Sequence, residues 1–150
     1  MLDLTVEDKY YYWLMISIGL DKELVGYMRD CVESKEEVSD LILELYNESQ
    51  NRNALKRVLY LSDIKSAAIN KMSVKARIDN YFYKHLLNKK FTPSQIGEYL
   101  EKIYELETDW SDYEWISENY SLAISGVFSC EDADNRLGKY LKDNASCNLE

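Results

Sequence analysis

One proline stands in this chain of 150 residues, and it stands where a helix begins. Thr92-Pro93-Ser94-Gln95 joins three start signals: a Thr N-cap, a Pro at the first helical position, and a Gln that can reach back to the cap. Phe91 and Ile96 flank it at the spacing of a hydrophobic staple. Five glycines are the only other strong breakers. A chain this poor in turn residues is expected to build long helices with short connections, not a loop-rich or all-β fold. At this length it is read as one helical domain, 1–150, long enough to enclose a core.

The helical period recurs along the chain. Thr5 precedes "VEDKYYYWLMISI", and Gly19 can end that helix. Asp21 can cap the next, with Leu20 and Val25 as its staple. Ser34-Lys35-Glu36-Glu37 reads as a capping box before "VSDLILELY", where Val38, Leu41, Ile42 and Leu45 keep the period. Asn53 opens "ALKRVLYLS", with Leu55, Val58 and Leu59 inward. Ser62 or Asp63 restarts the chain into "IKSAAINKM". Ser73 precedes "VKARIDNYFYKHLLNKK", with Ile78, Phe82, His85 and Leu86 inward. After Pro93 the buried set is Ile96, Tyr99 or Leu100, Ile103 and Leu106, with Glu98, Glu101, Lys102 and Glu105 outward. Ser111-Asp112-Tyr113-Glu114 reads as another capping box, stapled by Trp110 and Trp115. The segment "SLAISGVFS" (121–129) either ends a helix or forms a short extended piece. A last helix runs from about Ser129 to Asp143, with Leu137, Tyr140 and Leu141 inward. The sum is an all-α fold of about eight helices, packed as an orthogonal bundle or a short array of helical hairpins.

Charge is unevenly placed. Residues 1–50 hold 12 acids and 4 bases, residues 51–90 hold 10 bases and 2 acids, and residues 91–150 hold 13 acids and 4 bases. The net charge of −9 opposes bulk nucleic acid and anionic membrane and favours a cationic partner. The run "YYYWLMISIGL" (10–20) is too short to span a bilayer, and its acidic upstream flank is wrong for a secretion signal. Cys31, Cys130 and Cys147 are odd in number and widely spaced, so neither a disulfide framework nor a zinc site is expected. A reducing, cytoplasmic setting fits them. The three Asn-x-Ser sequons carry no meaning without a secretion signal.

Catalytic signals are thin. His85 is the sole histidine, and no nucleophile motif accompanies it, so it is read as structural. There is no Gly-rich phosphate cradle, no H-E-x-x-H and no Glu-x-x-His pair. "DADNRLGKY" (132–140) starts like a calcium loop, but Arg136 and Leu137 occupy positions that need an oxygen ligand and a glycine. No enzyme activity, cofactor or metal is expected. An enzyme would need a carboxylate-lined pocket around His85.

Two binding readings remain. Arg52, Lys56, Arg57, Lys65, Lys71, Lys75, Arg77, Lys84, Lys89 and Lys90, interleaved with Tyr60, Tyr81 and Tyr83, could neutralise phosphates as a nucleic-acid-binding regulator would. Against this, the bases do not share one helical face. The rival is protein binding. Of 19 aromatic residues 13 are Tyr, a residue suited both to cores and to interfaces. Tyr46, Tyr99 and Tyr140 fall on inward stripes. Tyr10-Tyr11-Tyr12-Trp13 turn about 100° per residue, so at least one ring is expected outside the core or at a contact. Residues 98–118 hold eight acids and one base, Lys102. In size, pI, helical pattern and the stretch "PSQIGEYLEKIYELETDWSDYEWISENY" (93–120), the chain resembles the small acidic helical immunity proteins of bacterial toxin systems. It is also similar to short uncharacterised helical bacterial families. The first resemblance implies a protein that protects its own cell by blocking a toxin. The expected partner is then a basic protein such as a toxin nuclease domain, with the chain a monomer or homodimer. The expected contact residues are Glu105, Glu107, Asp109, Asp112, Tyr113, Glu114 and Glu118. An interaction or structural protein of another kind is the further alternative.

Overall fold

The computed structural model describes residues 1–60, 64 and 68–145. Among them the chain is all α, with eight helices and one isolated parallel β-bridge, Leu2 to Val38. It divides into two compact units, Met1–Val74 and Lys75–Glu150.

In the N-terminal unit, α1 (Val6–Ser17) opens on a formed capping box. Asp8 N–H donates to Thr5 Oγ1 (3.1 Å) and Thr5 N–H to Asp8 Oδ2 (2.9 Å). Tyr10, Tyr11, Tyr12, Leu14, Met15 and Ile16 are all buried. A run this continuous means the helix is covered on most of its circumference. Trp13 is the half-buried ring of the aromatic run. It lies 6.2 Å from Tyr60 and under Lys56 Nζ at 5.8 Å.

Three helix starts in this unit differ from the sequence reading. α2 (Lys22–Glu33) has Asp21 at its N-cap, but the Asp21 carboxylate caps nothing; it accepts from Arg52 Nη2 at 2.9 Å. Ser34 closes α2 instead of opening α3. α3 (Asp40–Asn47) is capped by Ser39, whose Oγ accepts from Ile42 N–H (3.2 Å). The reason lies in the β-bridge: Leu2 N–H donates to Glu37 O and Ser39 N–H to Leu2 O, which holds 37–39 extended. α4 (Arg52–Leu59) is capped by Asn51, two residues before Asn53. Ile42, Leu45, Leu55 and Leu59 face inward as the period demands, while Tyr46 is 39% exposed. The restart at Ser62 or Asp63 lies outside the described residues.

α5 (Lys71–Leu87) starts before Ser73, because Asn70 Oδ1 accepts from Ser73 N–H at 3.2 Å. The C-terminal unit contains nearly all of it, with α6 (Pro93–Leu106), α7 (Ser111–Ile124) and α8 (Cys130–Asn144). α7 packs against both α6 and α8. The Thr92 box forms as its spacing requires: Gln95 N–H donates to Thr92 Oγ1 (3.3 Å) and Thr92 N–H to Gln95 Oε1 (2.9 Å). Phe91 and Tyr99 meet edge to face at 5.3 Å, and Tyr99 stacks on Phe82 at 5.8 Å. Ile96, Leu100 and Ile103 are fully enclosed, whereas Leu106 ends the helix 42% exposed. "SLAISGVFS" resolves into the last turn of α7 and a turn at Gly126.

Three helices end in the same motif. Gly19, Lys89 and Gly126 have φ of 95°, 60° and 85°. After each, the next N–H reaches back six residues inclusively: Leu20 to Met15 O (2.8 Å), Lys90 to His85 O (3.0 Å), Val127 to Leu122 O (2.9 Å). This is the Schellman cap, whose left-handed residue favours glycine. Lys89 holds that conformation with a Cβ present. Lys89→Gly is therefore expected to stabilise the protein by up to about 1 kcal/mol, since relief of the left-handed penalty slightly exceeds the added chain entropy. Urea denaturation checks this, and a loss of stability would contradict it.

Candidate protein interface and the buried network behind it

The residues expected to contact a partner do not share one environment. Glu105, Asp109, Asp112 and Glu118 are exposed and Glu114 is half-buried. Glu107 and Tyr113 are interior, at 6% and 0% exposure, so these two leave the contact surface. The reason for Tyr113 is a polar network in the C-terminal unit.

Asp79 lies on the apolar side of α5 and is 2% exposed. A carboxylate there needs donors on both oxygens. Tyr113 OH from α7 donates to Oδ1 (2.7 Å), and Tyr140 OH from α8 donates to Oδ2 (3.1 Å). Lys75, one turn earlier on α5, brings Nζ to 3.5 Å from Asp79 Oδ2 and 3.1 Å from Asp112 Oδ2. It also donates to Tyr140 OH and lies over the Tyr113 and Tyr140 rings at 5.1 and 5.2 Å. Burial holds the Asp79 carboxyl above its ordinary range, against the opposing pull of Lys75 and the two phenols. Burial, reinforced by the Asp79 charge, pushes the Tyr113 and Tyr140 phenols well up. No proton leaves this network near neutral pH from the tyrosine side.

The expected capping box at Ser111 does not form. Trp110 is the N-cap, without a side-chain bond, and Ser111 is the first helical residue. Glu114 is engaged elsewhere: its Oε2 accepts from Tyr104 OH of α6 at 2.7 Å. Of the expected staple pair, Trp110 is buried and Trp115 is 44% exposed. Trp115, like Tyr46 and Tyr113, is an aromatic residue that sequence reasoning misplaced. Its signal was present, because Ser111, Trp115, Glu118 and Leu122 repeat at four, three and four residues, a stripe of one helix face. All four are exposed.

The outward side of the α6–α7 pair is therefore carboxylate-rich. Glu98, Glu101 and Glu105 follow each other along α6. The Tyr104–Glu114 bond shows which side of α7 adjoins them. Glu118, one turn on from Glu114 and three residues from Trp115, stands between the acids and the exposed indole. Asp109 lies in the connecting turn.

The rival surfaces are differently placed. Arg52 is paired with Asp21, Lys56 covers Trp13, Lys75 is buried and Lys90 lies 5.7 Å over Phe91. These four bases already have partners inside the fold, and Lys65 lies outside the described residues. His85 is buried against Tyr81 (4.3 Å) and Phe91 (5.5 Å), and Asn88 Nδ2 donates to its Nδ1 at 3.3 Å. Among the described residues no three His, Cys, Asp or Glu side chains are placed to hold a metal ion. Cys31 is a buried free thiol and Cys130 an exposed one; Cys147 lies outside the described residues. No helix among the described residues is long and apolar enough to cross a membrane.

Lys75→Met should destabilise the protein by about 3–5 kcal/mol at neutral pH, because it strands the Asp79 charge. The raised Asp79 pKa sets the pH dependence. Stability linked to its protonated form is complete below the unfolded value and lost as pH rises through the folded one, so the Lys75→Met deficit should shrink toward about pH 4. Adding Asp79→Asn should recover much of the loss, a non-additive result. Urea titrations at both pH values test this, and an additive, pH-independent deficit would refute it. Compared with family models, curated proteins and solved structures, the chain matches none.

Proposed function

We propose that the chain is a non-enzymatic protein-binding module of the immunity type. It blocks a basic toxin domain, such as a nuclease, through the acidic outward side of α6 and α7. The observation that carries this reading is the exposed Trp115, which shares the outward side of α7 with Glu118, next to Glu114 and the acid-bearing α6. Interface centres favour large, rigid aromatic anchors, and tryptophan is the most enriched of them. Carboxylates around such an anchor speed the encounter with a cationic partner and reject an anionic one. The chain's net charge of −9 has the same sign as this face. Cytoplasmic residence and a monomeric or homodimeric state belong to the same proposal.

The test uses a basic protein encoded beside this gene or captured from the native host. Glu105→Lys with Glu118→Lys is the informative pair, since both side chains are exposed and neither makes a bond on which the α6–α7 pair depends. The double reversal should slow association about tenfold or more at low salt and flatten its salt dependence. Trp115→Ala should act mainly on dissociation, costing about 2 kcal/mol or more. Unchanged rates in both variants would remove this face from the proposal.

A further inference from the structure

Beside the acidic face lies a cavity of about 380 Å³ lined by α6, α7 and the start of α8. Its walls follow from helical spacing. Ser94, Gly97, Glu98 and Glu101 run along α6; Ser117, Tyr120, Ser121 and Ile124 run along α7; Cys130 and Asp134 stand one turn apart on α8. Gly97 makes the depth possible. A Cβ there would come within 2.7 Å of the Tyr120 ring. The ring is held in place by its hydroxyl, which donates to Asp134 Oδ1 at 2.7 Å. Tyr120 therefore lies directly against the α6 backbone and forms a fixed aromatic wall.

The lining chemistry is one-sided. Glu98, Glu101 and Asp134 bring three carboxylates, and among the described residues no Lys, Arg or His lines the cavity. Asp134 has one oxygen taken by Tyr120, whereas Glu98 and Glu101 stand exposed on adjacent turns of α6. One lining residue is apolar and open to solvent: Ile124 is 85% exposed. The volume is near the lower end for ligand sites, roughly 300–1,000 Å³, and so suits one side chain better than a nucleotide.

We infer that this cavity receives an arginine side chain of the basic protein partner, with its guanidinium between Glu98 and Glu101 and against the Tyr120 ring. The inference rests on the protein-binding reading above and names the contact within it. A guanidinium is planar, stacks on aromatic faces and forks its donors onto carboxylates. An ammonium is a compact, more strongly hydrated charge and uses neither the ring face nor paired acceptors as well. The exposed Ile124 meets the apolar residues that flank such an arginine on the partner.

A small probe tests the cavity without any partner. N-acetyl-arginine amide is titrated into the full chain and followed by amide NMR shifts, with N-acetyl-citrulline amide as the uncharged isostere and N-acetyl-lysine amide as the alternative cation. The expected result is saturable shifts confined to Gly97, Ser117, Ser121 and Cys130, with a dissociation constant on the order of 1–10 mM. Citrulline should give none, lysine should bind several-fold more weakly, and Glu98→Gln with Glu101→Gln should abolish the arginine response. Both glutamates are exposed, so unchanged shifts elsewhere in the spectrum report that the variant is folded. No localised arginine response, an equal response to citrulline or lysine, or a response that survives the double substitution would overturn the inference. This outcome is independent of the Glu105 and Glu118 reversals, so either idea can fail alone.

Discussion

A carboxylate placed out of reach of water organises the C-terminal unit. Asp79 stands beside Ile78 on the apolar side of α5, where an ionised group is tolerated only if its oxygens are occupied and its charge is answered. The occupants come from three helices: Lys75 from α5, Tyr113 from α7 and Tyr140 from α8. Apolar side chains alone allow neighbouring helices to adjust wherever the repacked volumes still fit. Two phenol hydrogen bonds to one carboxylate do not, because a shift of a single residue in α7 or α8 would turn a tyrosine away and leave an acceptor bare. The network thus sets register among helices that hydrophobic packing merely brings together.

That register has a consequence on the outside. Successive helical residues turn by 100°, so with Tyr113 directed at Asp79, Trp115 is rotated 200° from it and faces solvent. Glu114 then meets Tyr104 on α6, and Glu118 follows one turn later. The aromatic and acidic composition of the α6–α7 surface is the outer expression of an interior hydrogen bond. The same rotation lays Tyr120 across Gly97, where the missing side chain lets the ring approach the backbone and open a cavity beside the acids. Asp112 joins the two layers. It is exposed, yet it contributes the second negative charge beside the Lys75 ammonium. A substitution there would disturb interior and surface together, and Glu105 and Glu118 report more cleanly on the surface alone.

Local chemistry was readable wherever the residues that make a structure are neighbours in sequence. The Thr5 cap and the Thr92 capping box formed, Gly19 ended α1, and Ile78, Phe82, Ile96, Ile103 and Leu137 went inward on the period that predicted them. Misreadings arose where a distant partner claimed a side chain. Ser34 lost its role because Leu2 pairs with the extended residues 37–39, Asp21 turned to Arg52, and Glu114 turned to Tyr104. Asp21 and Glu114 each had a plausible local partner and found another on a different helix, while the Ser34 hydroxyl stayed local and donates to Cys31 O at 2.7 Å. Tyr113 and Glu107 were placed on the surface by composition alone, which carries no direction.

The sequence by itself determined that this chain is helical, where α1, α6 and α8 begin, and that its final 60 residues carry a large excess of acid. Those properties depend on propensity, capping and charge, which act within a few residues. Tertiary structure decided which acids face solvent, which aromatic ring of α7 is exposed beside them, and that a cavity opens between α6, α7 and α8. Those properties depend on rotation of each helix about its own axis. In the C-terminal unit that rotation is fixed by a lysine, an aspartate and two tyrosines that stand up to 65 residues apart and meet only in the fold.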